Sequence, residues 1–126
     1  MIVRDGRALA ARRAYGDYAG WWEFPGGKVE PGESWDCALR REIREELCIE
    51  LADAEPFYDF TYDYPQFTAV LRFWLCVVAP DTDFSCHPDH DELRWLAPNN
   101  LYSVNWLPGD DGVLEKLRHT LSGVTE

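Results

Sequence analysis

The sequence predicts an α/β fold in which strands, a helix, further strands and a final helix follow one another in one domain, residues 1–126. Three observations carry this. From Trp35 to Leu47, apolar side chains recur every four positions as Leu39, Ile43 and Leu47, beside Trp35 and Ala38. That is the core stripe of an amphipathic helix. Residues 57–62 set Phe57, Asp59 and Thr61 on one face against Tyr58, Phe60 and Tyr62 on the other, the period of a strand. Residues 67–78 are rich in Val, Leu, Phe and Trp and predict a long central strand, joined to the previous one through Pro65-Gln66 as an antiparallel hairpin.

The remaining elements follow in order. Met1-Ile2-Val3 is short and apolar, and Arg4-Asp5-Gly6-Arg7 predicts a tight hairpin turn into a strand from Ala8 to Arg12. Arg12 and Arg13 close that strand. Tyr15 to Gly20 is turn-rich, and Trp21 to Phe24 reads as a short strand. After the helix, Glu50 to Glu55 is a connection, and Pro80 to Asp83 is a loop. An acidic loop then leads to a short strand, Arg94 to Leu96, and Ala97 to Leu101 begins a helical turn. Asn105 to Gly109 is a loop. Asp110 or Asp111 is the expected N-cap of a last helix, Gly112 to Leu121, with Val113, Leu114 and Leu117 turned inward.

Composition limits the function. The chain has 126 residues and a hydrophobic content of 46%, enough for one core. A net charge of −11 argues against binding a nucleic-acid backbone, which needs a basic surface. A polyanionic small molecule would have to be met by local cations or bound metal. Cys37, Cys48, Cys76 and Cys86 lack C-x2-C spacing and read as reduced, mostly buried thiols of an intracellular protein. With no signal peptide and no long apolar run, the expectation is a cytoplasmic protein that does not enter membranes, a monomer or a homodimer. Cys86, His87 and His90 could bind zinc, but Pro88 lies among them and no second Cys/His cluster exists, so an acidic loop is the better reading.

The chemistry concentrates in residues 26–50. Glu42, Glu45 and Glu46 stand at i, i+3 and i+4 of the predicted helix and project from one face, opposite the core stripe. Like charges so spaced destabilise a helix by a few tenths of a kcal/mol each. Arg41, four residues before Glu45, offsets part of this; a divalent cation would offset far more, since Mg²⁺ and Mn²⁺ take hard oxygen ligands. In front of the helix, Gly26-Gly27 and Pro31-Gly32 form a loop able to bring backbone N–H groups close to an anion. The run Gly27-x4-Gly32-Glu33-Ser34 nearly matches the phosphate-cradling loop G-x4-G-K-[ST]. Glu33 replaces its lysine and would repel phosphate, so the anion must be reached through a metal.

This stretch resembles the signature of the Nudix hydrolases, G-x5-E-x7-R-E-U-x-E-E-x-G-U with U bulky and apolar. Gly27, Glu33, Arg41, Glu42, Ile43, Glu45, Glu46 and Ile49 match it. Cys48 stands where the pattern has glycine. There a helix ends in a left-handed conformation, so Cys48 either bears about 1 kcal/mol of strain or ends the helix differently. The flanking Trp22-Glu23-Phe24-Pro25-Gly26-Gly27-Lys28 is similar to the MutT-like branch, which hydrolyses nucleoside triphosphates.

The resemblance implies a mixed curved sheet sandwiched between the acidic helix and the C-terminal helix. It implies hydrolysis of a nucleoside triphosphate, including modified or oxidised forms, to monophosphate and pyrophosphate. Mg²⁺, with Mn²⁺ as an alternative, would be held by Glu42, Glu45, Glu46 and a carbonyl of Gly26 or Gly27. Glu33 would support the loop, paired with Arg41. Glu45, Glu46 or Asp89 would accept the proton, with Glu45 favoured. Asp89 is placed by its register to Trp95, with Asp91 and Glu92 as alternatives. Arg13 would contact the phosphates and Lys28 help hold them; Arg13 as plain strand-end charge is equally open. Phe24 would be either core or a stacking face for the base. Asp110 would reach the nucleobase: ionised, it accepts from the exocyclic amine of cytosine or adenine; protonated, it donates. Two alternatives remain: a Nudix hydrolase of ADP-ribose, dinucleoside polyphosphates or a nucleotide sugar, and a noncatalytic nucleotide sensor.

Overall fold

The computed structural model describes residues 1–26, 29–63, 65, 66 and 68–123. Strand β1 (Val3–Arg4) turns through Asp5 and Gly6, both at positive φ, into β2 (Arg7–Arg13). The pairing Arg4↔Arg7 closes the expected hairpin. Strand β3 (Trp22–Glu23) pairs with β2 through Ala11↔Glu23, and β6 (His90–Leu96) covers β2 from Ala8 to Arg13. All three partners run antiparallel to β2. β6 is longer than the predicted Arg94–Leu96 because its polar first half, His90 to Leu93, is held by this ladder.

β4 (Asp53–Asp63) and β5 (Thr68–Val77) form the predicted antiparallel hairpin. β4 starts inside the stretch expected to be a connection. β5 is not central: among the described residues it pairs in ladder only with β4, and the isolated parallel bridge Ile2↔Cys76 ties it to the other sheet. Its apolar character comes from alternate contacts on two sides. Phe73 packs in one core cluster and Cys76 in the other.

The two clusters make the sandwich. Helix α1 (Trp35–Leu47) has the predicted limits, with the Ser34 side chain accepting from Cys37 N. Its Leu39, Ile43 and Leu47 pack with Ile2, Leu9 and Val78. Helix α2 (Leu114–Leu121) places Leu114 and Leu117 with Ala8, Ala10, Phe73, Leu96 and Leu101. β2 thus sends Leu9 one way and Ala8 and Ala10 the other. Each fully buried leucine contributes roughly 2 kcal/mol to this arrangement. The α/β fold with helices on two sides is as expected. A 3-10 segment, Pro98–Ser103, lies between β6 and α2.

Several local expectations are corrected. Trp35 is exposed, with the Arg72 guanidinium 4.6 Å over its ring, so it does not belong to the core stripe. Glu46 is buried, so the acidic face is not wholly opposite the core. α2 starts two residues after Gly112 and has no side-chain cap. The thiols are not all reduced or buried: Cys48 is bonded to Cys86, while Cys37 is exposed and Cys76 buried. Cys48 does adopt the left-handed conformation, at φ 59°, and its N–H bonds the carbonyl of Arg44. Among the described residues no helix is long and apolar enough to cross a membrane.

Candidate active site

Helix periodicity brings Glu42, Glu45 and Glu46 to one open cavity of about 200 Å³, lined also by Arg13, Tyr15, Glu23, Gly26, Asp89 and His90. One wall is therefore a single helix. The other is assembled from the ends of β2, β3 and β6.

On the helix wall, Arg41 is the organising cation. Its Nε and Nη2 donate to the two oxygens of Glu33 at 2.7 and 3.0 Å. This fork is a strong charge-assisted arrangement. Nη1 donates to Glu42 at 2.8 Å and lies 3.3 Å from Glu45. Arg41 draws the Glu33 carboxyl below its ordinary range, helped by the Glu30 backbone N–H. Glu33 thereby ties the loop at residues 30–33 to the helix and does not face the cavity.

Glu46 differs from its neighbours. Burial, followed by the charges of Glu23 and Glu42, pushes its carboxyl up to about 8, and a backbone hydrogen bond from Gly26 only partly opposes this. A buried carboxylate among like charges is a costly arrangement on its own. Glu45 is far more open, with 59% of its side chain exposed. Carboxylate oxygens in excess over the cavity's cationic groups suit a hard divalent cation, so the residues present fit a metal of that class.

On the opposite wall, Asp89 accepts from the Tyr15 hydroxyl at 2.6 Å, and its backbone carbonyl accepts from Ala14 N. The neighbouring acids point elsewhere: Asp91 and Glu92 pair with Arg12 at 2.6 and 3.3 Å. Neither lines the cavity. Glu23 bridges Arg13 at 3.1 Å and His90 Nε2 at 2.8 Å. His90 Nε2 is 4.0 Å from Glu46. Glu23, Glu46 and His90 form a compact group of potential ligand atoms. Cys86 is bonded to Cys48 and His90 is turned to Glu23, so the two cannot share a zinc ion.

Phe24 and Asp110 lie outside the cavity lining. Phe24 is core: it stacks on Trp106 at 4.4 Å and meets Phe73 edge-on. Asp110 is no N-cap, because its carboxylate accepts from Phe24 N at 2.9 Å. Burial raises its carboxyl to about 7, against the pull of that N–H bond. Gly26 is at the cavity with φ 151°, in the region that favours glycine. Gly27 and Lys28, expected near the phosphates, lie outside the described residues.

The sequence alone assigns Glu23 and Tyr15 no role, and offers His90 only as a zinc ligand with Cys86 and His87, not as a partner of Glu23. The alternation of Trp22 inward and Glu23 outward in β3 was an available signal for the first. For His90 the cue was its place next to Asp89 in the chain; Tyr15, 74 positions from Asp89, had none.

Comparisons with known proteins identify the family. The chain is 38% identical over 117 residues to a CTP pyrophosphohydrolase of Escherichia coli K12, covering 91% of this chain and 84% of that protein. It is 39% identical over 119 residues to an 8-oxo-dGTP diphosphatase of Haemophilus influenzae, covering 92% and 86%. The crystal structure of a MutT Nudix hydrolase from Burkholderia pseudomallei superposes with a TM-score of 0.72 at 33% identity, covering 90% of each chain. The model of the NUDIX domain matches residues 1–117, so the chain, with its acidic helix and the cavity it lines, belongs to the Nudix family.

Proposed function

We propose that this chain hydrolyses nucleoside triphosphates, including modified or oxidised forms, to monophosphate and pyrophosphate, and so clears the nucleotide pool of the cytoplasm. The observation that carries this is the convergence of Glu42, Glu45 and Glu46 on one cavity with Asp89 and Arg13. Relatives named for CTP and 8-oxo-dGTP hydrolysis support the substrate class.

Glu42, Glu45, Glu46 and the Gly26 backbone would hold Mg²⁺, with Mn²⁺ as a substitute. When bound, the cation supplies charge neutralisation on the phosphate oxygens and acidifies a water. The chain does the rest. Arg13 meets a phosphate oxygen at the cavity mouth. Glu45, open to solvent and only loosely paired with Arg41, takes the proton of the attacking water. Glu46, which prefers its neutral form without a cation, suits ligation better than proton acceptance. Arg41 and Glu33 fix the angle between loop and helix, which sets how the carboxylates are aimed. Lys28, outside the described residues, keeps only its expected role of helping to hold phosphate. Asp110 reads the base through the carboxylate oxygen that the Phe24 N–H leaves free.

The test is pyrophosphate release with Mg²⁺ from CTP, dCTP, 8-oxo-dGTP, dGTP and ATP, beside ADP-ribose. Pyrophosphate and monophosphate from at least one triphosphate is the expected result. Cleavage of ADP-ribose to two monophosphates, with every triphosphate intact, would overturn the reading.

A further inference from the structure

Glu23 has one side chain and two demanding neighbours. It stands on the two-residue strand β3, where Trp22 faces the core and Glu23 the cavity. One oxygen accepts from Arg13 Nη1 at 3.1 Å, and the other meets His90 Nε2 at 2.8 Å. The three residues come from adjacent strands β3, β2 and β6. A register shift between Arg12 and Arg13 pairs Arg13 with His90 and skips Asp91. Bulges of this kind re-aim a side chain beside a site. Here the shift turns Arg12 out to Asp91 and Glu92 and leaves Arg13 at the cavity.

His90 has 1% of its side chain exposed, and its Nδ1 has no hydrogen-bond partner among the described residues. Among the described residues, the ring's one polar partner within 3 Å is Glu23. The next oxygen along is Glu46 Oε1, at 4.0 Å. A buried ring N–H that loses its acceptor must find another. A small rotation would give it Glu46, one of the carboxylates assigned above to the cation.

We propose that Glu23 is a positioning residue that keeps two groups free for their ligands. It holds Arg13 toward the substrate phosphates, and it occupies the His90 N–H so that the Glu46 carboxylate stays available to the metal. The inference rests on the assignment of Glu46 and Arg13 given above. Glu23 itself need touch neither substrate nor cation.

Two readouts test this, one of them independent of turnover. Mn²⁺ affinity is measured from the free-ion paramagnetic resonance signal, without nucleotide, and KM is measured with the best triphosphate. In Glu23→Leu, which has no acceptor for either partner, the proposal expects Mn²⁺ affinity to fall about tenfold, the scale for partners that orient a metal ligand. KM should also rise, while far-ultraviolet circular dichroism is unchanged. In Glu23→Leu/His90→Leu no ring N–H can turn to Glu46. Mn²⁺ affinity should recover while KM stays raised, a split that general loss of structure would not produce. If Glu23→Leu does not fold, Glu23→Asp serves: its shorter carboxylate cannot span both partners, so KM or the Mn²⁺ dissociation constant must rise. Unchanged Mn²⁺ affinity and KM in a folded Glu23 variant, or no Mn²⁺ recovery in the double variant, would overturn the proposal. A wild-type protein that cleaves no triphosphate would sink the substrate reading and leave the Mn²⁺ comparison decisive for Glu23.

Discussion

The two walls of the cavity are built in opposite ways. The helix wall takes Glu42, Glu45 and Glu46 from one turn and a half of α1, and Arg41 from the same stretch braces them. The strand wall takes Arg13, Glu23 and His90 from three strands and Asp89 from the turn before β6, and each is held by a partner on another segment. The helix wall is fixed by local geometry and tolerates neighbouring changes as long as the helix forms. The strand wall depends on register, on the shift at Arg12/Arg13, and on whatever restrains the loop before β6. The Cys48–Cys86 bond is such a restraint, because it joins the end of one wall to the approach of the other. In the proposed mechanism, chemistry therefore sits mainly on the robust wall, and aiming on the delicate one.

The largest way to break this contrast is on the helix wall. Glu45→Gln should lower kcat about a thousandfold while leaving the melting temperature near that of the wild type, the scale of a lost general base. A loss under tenfold would move the proton acceptor to Asp89, across the cavity. Next comes the link between the walls. Cys86→Ser opens a loop of 38 residues and should cost about 4 kcal/mol in denaturant unfolding under oxidising conditions. Wild type with a reductant should behave like the variant. Equal stability with and without reductant would mean the bond contributes nothing.

A smaller effect is expected at the brace. Arg41→Lys keeps the charge but cannot fork onto Glu33, so catalytic efficiency should fall about tenfold with Mg²⁺ saturating. Full activity in this variant would show that the aim of the carboxylates does not depend on that fork.

The smallest effect concerns Asp110. Its carboxyl is raised to about 7, so it is neutral below that pH and ionised above it. The ratio of catalytic efficiency on CTP to that on UTP should rise about fivefold from pH 6 to pH 8, the worth of about one hydrogen bond. Asp110→Asn should flatten the ratio. The same raised values carry a stability consequence. Between the ordinary carboxylate range and the raised values, the folded metal-free protein binds more protons at Asp110 and Glu46 than the unfolded chain does. Stability must then fall as pH rises through that window and level off above about 8. Thermal unfolding in chelator reads this directly.

The same contrast explains what could be read without coordinates. α1 was legible to the residue because the four-residue apolar spacing and the acidic triplet agree within one segment. Strands were legible as strands, but not their partners: β5 looked central from composition, and only the ladder shows that, among the described residues, β4 alone pairs along it. Glu23 and His90 carried no local signal of their meeting, which spans 67 positions and depends on a register shift. The Cys48–Cys86 bond was hidden for the same reason. At Cys48 the departure from glycine was visible as strain, but its partner was not. Asp110 looked like a helix cap because caps are local. Its carboxylate was instead taken by a backbone N–H 86 residues away.

The central claim is that the carboxylates of α1, loaded with a divalent cation, drive hydrolysis between the phosphates of a nucleoside triphosphate. The direct measurement is product analysis by phosphorus NMR during CTP turnover, in chelator and then with Mg²⁺ restored. The account predicts no turnover in chelator, and CMP with pyrophosphate once Mg²⁺ is added. Hydrolysis that proceeds equally in chelator, or CDP with orthophosphate as the products, would contradict it.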